Sequence, residues 1–216
     1  TALLARASAG QGQIVTITGD AGIGKSRLAA EVVRLAQRRN SIAYGGTGQS
    51  TGQHTPYLAW RPIFQAMLSV NPDLPLRRQI RWLEGELEER APLRVDVLPL
   101  LGPLLDLPLP ENASSVTLDA KARKGALEAL LVELIESAAH DVQAEDGVLV
   151  LLLEDLHWLD PLAADLLIMI ARAALRLPML LVLTTRSSEG AAWATALTDL
   201  PYAMTFHLEA LDEHAL

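Results

Sequence analysis

The sequence contains no cysteine among its 216 residues, and this absence excludes several kinds of site. Disulfide frameworks, thiolate zinc sites and cysteine nucleophiles all depend on a residue that is missing here. An excess of positive charge is missing as well, because 18 basic residues stand against 26 acidic ones, which gives a net charge of −8. A general nucleic-acid surface needs clustered Lys and Arg, so we expect no direct binding of nucleic acid.

The sequence also lacks a membrane segment. The longest apolar stretch, from Leu162 to Leu183, is interrupted by Asp165, Arg172, Arg176 and Pro178, whereas a membrane span needs roughly 20 mostly apolar residues. The first residues do not show the charged, apolar and cleavage regions of a secretory signal in order. We therefore expect a cytoplasmic protein with no membrane partner.

What is abundant is apolar sequence, since half of the residues are hydrophobic. That fraction is ample for a buried core and argues against disorder. The length fits one large domain, or one domain plus a fragment of a second. Lysine occurs only at Lys25, Lys121 and Lys124, so a lysine that falls within a motif is more informative here.

Short apolar runs alternate with segments of helical period. The pattern predicts helices over 27–39 and 118–140, and a further helix that Asp160 caps and that runs from Pro161 to about Leu175. Strands alternating with helices predict an α/β fold with a mostly parallel sheet. The five predicted strands are 13–18, 41–45, 148–153, 179–184 and 203–208.

The stretch of about 55–145 does not fit a minimal strand–helix–strand repeat, and we interpret it as a helical insertion after the second strand. It contains helix candidates at 57–68 and 77–90, followed by a proline-punctuated apolar run at 97–110. That run is either a partner-binding patch or a set of short helices packed on the sheet, and packing is the more common fate of apolar sequence. Arg77, Arg78 and Arg81 form a small basic face, which by default is solvated.

A phosphate-binding pattern follows the first predicted strand. Glycines allow the backbone to approach phosphate, and amides at a helix N-terminus favour negative charge. A lysine can bridge the β- and γ-phosphates, and a serine hydroxyl can bind Mg²⁺. The residues match G-x-x-x-x-G-K-S, the P-loop or Walker A motif, and are Gly19, Asp20, Ala21, Gly22, Ile23, Gly24, Lys25 and Ser26.

Two carboxylates end the third predicted strand, where a P-loop protein needs an acidic partner for Mg²⁺. Strand alternation predicts that Glu154 and Asp155 point in different directions. By position, Glu154 takes the metal role and Asp155 activates water, although the acidic pair more often runs Asp then Glu. Arg186 follows the next strand, at the sheet edge that faces the ligand crevice, and could stabilise the γ-phosphate.

The histidines show no metal-ligand spacing and no nucleophile partner. His157 could touch a substrate, but a hydrogen-bonded structural role is the more common one. We expect its neighbour Trp158 to belong to the core. The remaining histidines, to which we assign nothing, are His54, His140, His207 and His214.

Three motifs together resemble the AAA-like ATPase module of the STAND proteins, the signal-transduction ATPases with numerous domains. They are the P-loop extended to Arg27, the acidic motif that ends at Pro161, and the Leu-Thr-Thr-Arg of 183–186. This module occurs in LuxR-type transcription regulators and in multidomain class III adenylate/guanylate cyclases. The segments 49–62, 98–105 and 118–131 are more similar to the cyclase-associated branch.

The resemblance implies a three-layer αβα sandwich with strand order 5-1-4-3-2, and ATP or ADP with Mg²⁺ as cofactors. It places Lys25 and Ser26 on phosphate and metal, Glu154 (Walker B) on metal, Asp155 on water and Arg186 as a sensor. Family members usually carry an upstream Gly-Arg-Glu segment and a following winged-helix domain. We therefore expect an ATPase domain over 1–210, with residues 211–216 beginning a truncated next domain.

These expectations describe an ATP-binding, slowly hydrolysing signalling switch, linked to an adenylate or guanylate cyclase. Its partners would be a nucleotide and the output and sensor domains of the same full-length chain. It would also form a nucleotide-dependent oligomer. The alternatives are the ATPase module of a LuxR-type regulator, a P-loop kinase acting on a small acceptor, and a nucleotide-bound scaffold without turnover. A kinase would need an arginine-rich lid, for which 77–90 is the candidate.

Overall fold

A five-stranded parallel sheet forms the centre of the computed structural model, which describes residues 2–53, 55–186 and 192–209. The strand order β2-β3-β4-β1-β5 is the predicted 5-1-4-3-2 order counted from the other edge. The predicted α/β P-loop fold class is therefore confirmed. The strands are β1 (Gln13–Gly19), β2 (Ile42–Thr47), β3 (Leu149–Glu154), β4 (Met179–Thr185) and β5 (Ala203–Leu208).

Helices cover both faces of this sheet. Short 3-10 segments at 50–52, 58–60, 92–101 and 156–158 join some of them. The α-helices are α1 (Ala2–Ser8), α2 (Lys25–Gln37), α3 (Arg61–Met67), α4 (Leu76–Arg90), α5 (Gly102–Leu105), α6 (Ala113–Val116), α7 (Ala120–Gln143), α8 (Pro161–Ala174) and α9 (Ala192–Thr198).

Alternation along the strands divides the core into two layers. In β3, Leu151 and Leu153 pack in the larger layer, with α3, α7 and α8. Val150 points the other way and packs with β1 against α1 and α2. Strand β4 is buried along its whole length. A central parallel strand covered on both faces has this pattern.

Asp160 begins α8 as the sequence predicts. Its carboxylate accepts hydrogen bonds from the backbone N–H groups of Leu162 (3.1 Å) and Ala163 (3.0 Å). Pro161 occupies the first helical position, where its missing N–H is of no consequence. The cap fixes where the chain turns from the acidic motif back into the helical layer.

The first part of the proline-punctuated run, 97–102, is buried, as the packing interpretation predicts, whereas Pro103, Asp106, Pro108 and Pro110 are exposed. The buried part contacts mainly helices. Residues 92–101 form a 3-10 helix that contacts α4 and α7. Leu100 and Leu101 are buried in the larger layer. Prolines spaced through the run favour short helical turns over one long helix because each removes a backbone donor.

Several predicted boundaries differ from the structure. The second strand starts at Ile42 and extends to Thr47, and the candidate helix 57–68 is a 3-10 turn followed by α3. Helices α1, α6 and α9 were not predicted, since each has seven residues or fewer and carries little periodic signal. The predicted start of a next domain at 211–216 lies outside the described residues, as does His54. In the described ranges, no helix is both long and apolar enough to cross a membrane.

Candidate functional site

The P-loop connects the end of β1 to the start of α2 with a backbone that favours glycine. Gly22 and Gly24 have φ angles of 79° and 103°, and a Cβ on either would meet nothing within 4 Å. Their left-handed conformation, not lack of space, therefore requires glycine. Gly24 is the N-cap of α2, and neither a side-chain cap nor an acidic first-turn residue serves this end of the helix. The first amides of α2 remain available to an anion.

Lys25 folds back across the loop that it follows. Its Nζ donates hydrogen bonds to the carbonyl oxygens of Gly19 (2.9 Å) and Asp20 (2.7 Å). The residue is 8% exposed. These contacts hold the ammonium group at the mouth of the loop, where it can exchange carbonyl oxygens for phosphate oxygens.

A cavity of about 300 Å³ opens beside this loop, and we call it the P-loop cavity. It joins residues that are separated by up to 165 positions in sequence but meet at the carboxyl ends of parallel strands. Such a crevice is where open α/β sheets bind ligands. Its lining residues are Ala21, Gly22, Gly24, Lys25, Ser26, Arg27, Asp155 and Arg186.

Asp155 does not continue β3, which ends at Glu154. Its φ and ψ angles are 52° and 49°, a left-handed conformation, and its backbone N–H donates to Thr184 Oγ1 at 3.2 Å. Strand alternation therefore does not set the direction of this side chain, which was the basis of the sequence argument. The turn and the Thr184 hydroxyl set it instead. The side chain is 44% exposed and reaches the cavity.

Glu154 takes a different position from its neighbour. It is not among the residues that line the P-loop cavity, and its Oε1 is buried with no hydrogen-bond partner. Next to it, the backbone N–H of Gly48 donates to the Glu154 carbonyl at 2.9 Å. A Cβ on Gly48 would lie 2.5 Å from the carbonyl oxygen of Asp155. Sequence reasoning did not identify Gly48, because the need for glycine arises from contact between distant strands.

His157 differs from the expectation of a hydrogen-bonded structural residue. Both ring nitrogens are buried and make no hydrogen bond in the described chain, and Nδ1 lies 4.0 Å from Asp155 Oδ1. Burial lowers the pKa of His157, the nearby Asp155 carboxylate opposes that shift, and the charges of Arg186 and Lys25 add to it. The imidazole is therefore neutral near pH 7. Trp158, expected in the core, is only partly buried.

The residues present fit a magnesium–phosphate group. Mg²⁺ takes oxygen ligands, often one or two side chains with water and phosphate. Ser26 and Asp155 line the cavity, and the buried Oε1 of Glu154 lacks a partner. Across the described ranges, no group of three or more His, Asp or Glu side chains could hold a metal by itself. A metal here would therefore depend on the phosphates for the rest of its ligands.

Taken together, the strand order and the P-loop cavity define a domain with the P-loop NTPase fold. A sequence model described as the AAA ATPase domain matches residues 1–183. The chain belongs to this family. Uncharacterized protein R02095 of Rhizobium meliloti (strain 1021) is 30% identical over 190 residues, which is 87% of this chain and 18% of that protein. The chain thus spans about a fifth of its curated relative.

Solved structures with a similar chain course include Cdc6p from Pyrobaculum aerophilum and Orc1 from Aeropyrum pernix in complex with DNA. They are 16% and 18% identical, and in each case the TM-score is 0.42 over 95% of this chain and 42% of the other. The DNA belongs to the Orc1 structure, and a similarity of this degree carries no argument about binding by this chain. The expectation of no nucleic-acid binding stays an untested prediction.

Proposed function

We propose that this AAA ATPase domain is an ATP-binding and slowly ATP-hydrolysing switch within a multidomain signalling protein. The observation that carries the proposal is the P-loop cavity, where Lys25, Ser26, Asp155 and Arg186 converge. Its volume of about 300 Å³ is at the lower end of the roughly 300–1,000 Å³ of small-molecule sites. An open crevice of this size suits the phosphates, with the base lying further out.

The phosphates would occupy the N-terminal end of α2. Backbone amides and the helix dipole favour negative charge there, and Lys25 would transfer its hydrogen bonds from the carbonyls of Gly19 and Asp20 to phosphate oxygens. The segment Gly19–Arg27, which includes Ala21 and Ile23, would thus form the nucleotide-binding loop. Mg²⁺, when bound, would neutralise part of the phosphate charge, and Ser26 and Glu154 are the residues proposed to hold it.

Two further residues would act on the γ-phosphate. Asp155 is proposed to accept a proton from the attacking water, because its carboxylate is in the cavity and 44% exposed. Arg186, exposed at the end of β4, would stabilise negative charge that develops during phosphoryl transfer. Slow turnover follows from the short Asp155 side chain, which is one methylene shorter than glutamate. Positioning supplies most of the catalysis in this reaction.

The signalling role rests on the sequence resemblance to STAND proteins and on the length of the curated relative. That relative is more than five times longer than the matched segment, which fits a domain that acts on sensor and output domains in one chain. A cyclase is the proposed output, with a LuxR-type regulator as the alternative. Neither the matched family nor the relatives above name an output domain. A cytoplasmic location and a nucleotide-dependent oligomer belong to the same proposal.

A P-loop kinase is less well supported. Helix α4, which contains the arginines of the candidate lid, packs Leu83 and Leu87 into the core against the 92–101 segment and α7. None of its residues lines the P-loop cavity. ADP release that required a small acceptor would favour the kinase, whereas release with water alone favours the ATPase. Binding without any release would favour a scaffold.

The roles of the two carboxylates can be separated by isosteric variants. Glu154→Gln should weaken Mg²⁺-dependent ATP binding, and Asp155→Asn should preserve binding but slow hydrolysis, because it removes the base and keeps the shape. Calorimetry with and without Mg²⁺ measures binding, and single-turnover hydrolysis measures the chemical step. Glu145→Gln, at an exposed position, is the control. If the two variants behave in reverse, Asp155 holds the metal.

A further inference from the structure

A second cavity lies beside the N-terminal half of α4. Its volume is about 270 Å³, close to the lower end of the roughly 300–1,000 Å³ of sites for small molecules and cofactors. Most of its lining is apolar, so its size and character suit one large side chain from a partner. The residues that line it are Ser69, Val70, Asn71, Leu74, Gln79 and Trp82.

Gln79 lines this cavity and has an unused hydrogen-bond acceptor. The residue is 7% exposed, and its Nε2 donates to the Leu74 carbonyl at 2.6 Å. Because that contact requires the amide nitrogen, it fixes the orientation of the amide group. The Oε1 atom is buried and has no partner in the described chain. A buried acceptor without a donor is unfavourable, and an entering O–H or N–H group would satisfy it.

Trp82 forms an exposed wall of the same cavity. Its Nε1 donates to the Leu68 carbonyl at 2.8 Å, which holds the ring, yet 49% of the residue is exposed. Residues of this kind dominate binding energy at protein interfaces because a large rigid surface loses little entropy on contact. The ring is positioned to pack against whatever enters the cavity.

The charge pattern of α4 is opposite to that which stabilises a helix. Arg77, Arg78 and Arg81 lie in its first two turns, and all three are exposed. Within the described residues, none of them forms a salt bridge, whereas Arg90 at the other end does. Cations near a helix N-terminus oppose the helix dipole. The helix dipole therefore does not favour these arginines, whose side chains are exposed to an external anion.

Most of these features lie on one side of α4. At about 100° per residue, Arg81, Arg78, Trp82 and Gln79 follow one another around the helix axis, whereas Arg77 lies nearly opposite Gln79. Arg78 and Trp82 are four residues apart, so their side chains are neighbours on the helix surface, and Arg81 directly precedes Trp82. Asp73, in the loop before α4, and Glu84, three residues after Arg81, contribute two exposed negative charges beside the three arginines. In a chain with a net charge of −8, this is a local positive surface. We define the α4 surface as Arg78, Gln79, Arg81 and Trp82.

We propose that the α4 surface binds an acidic peptide segment of a partner protein, which inserts one tyrosine or tryptophan into the 270 Å³ cavity. The inserted residue supplies both an apolar ring and a donor for Gln79 Oε1. The flanking acidic residues pair with the arginines. This surface shares no residue with the P-loop cavity, so the proposal does not depend on nucleotide binding.

The test uses the 216-residue chain and a fluorescein-labelled peptide with a central tyrosine flanked by glutamates, followed by fluorescence anisotropy. We expect saturable binding, and a loss of about tenfold in affinity, ~1.4 kcal/mol, for the double variant Arg78→Ala/Arg81→Ala. Both positions are exposed, so folding should be kept. Arg172→Ala/Arg176→Ala removes two exposed arginines at and just after the end of α8; it is the charge-matched control and should change nothing.

Two peptide changes test the cavity itself. Replacing the central tyrosine by phenylalanine removes the donor for Gln79 and should weaken binding, and replacing it by alanine should weaken binding further. The proposal is overturned if no binding saturates up to about 1 mM peptide, if the alanine peptide binds as well as the tyrosine peptide, or if Arg172→Ala/Arg176→Ala has the same effect as Arg78→Ala/Arg81→Ala. Tighter, arginine-dependent binding of a single-stranded oligonucleotide would overturn it in favour of a nucleic-acid surface.

Discussion

Replacing Lys25 by methionine tests the central element of the P-loop cavity. Methionine keeps most of the aliphatic stem but removes the ammonium group, which donates to the carbonyls of Gly19 and Asp20. Hydrogen bonds from a charged donor contribute about 1.5–3 kcal/mol each. If one such bond to phosphate is lost, ATP affinity should fall by about 10- to 150-fold. If both are lost, binding should fall below detection.

The fold itself should tolerate this change. Lys25 lines the open P-loop cavity, so water can take the place of the ammonium group, and the melting temperature should shift little. Lys121→Met, at an exposed position of α7, controls for the loss of one lysine. Calorimetric titration with Mg-ATP measures the affinity. Unchanged affinity in a folded Lys25→Met protein would refute the assignment of the phosphate site.

Three more predictions concern the surroundings of Asp155. Thr184→Val removes the hydroxyl that accepts a hydrogen bond from the Asp155 N–H. It should lower the free energy of unfolding by about 1–2 kcal/mol and slow ATP hydrolysis. Unaltered turnover would show that Thr184 does not position Asp155 for the reaction. Gly48→Ala places a Cβ 2.5 Å from the Asp155 carbonyl oxygen and should lower the free energy of unfolding in urea by about 1–3 kcal/mol. A Cβ at Gly85 meets nothing within 4 Å, so the control Gly85→Ala should be neutral or stabilising. Equal effects of the two variants would contradict the close approach at Gly48. The pKa of His157 is lower in the folded than in the unfolded chain. Because the unfolded chain therefore binds more protons, the free energy of unfolding should decline as the pH falls below about 6.5. His157→Asn should flatten this decline, and an unchanged slope would argue against the buried neutral imidazole.

The sequence alone was enough to predict the fold class and the P-loop. The pattern Gly19–Ser26 is contiguous, and its geometry comes from the conformational freedom of glycine and from the start of a helix. Alternating strands and helices predicted the parallel sheet for a similarly local reason, since each apolar period reflects burial of one face or of two. The cap at Asp160 likewise requires only neighbouring residues.

The tertiary structure decided the features that depend on contact between distant segments of the chain. Asp155 leaves β3 in a left-handed turn because Thr184 on β4 receives its N–H, and no pattern within either strand encodes that contact. The Arg77 to Trp82 stretch has the composition of a solvated helix. Only the packing of α4 beside residues 68–74 shows that Gln79 has a buried, unpaired acceptor and that Trp82 borders a cavity. Backbone geometry and capping are local and can be inferred from sequence, whereas burial and hydrogen-bond satisfaction depend on which distant segments meet.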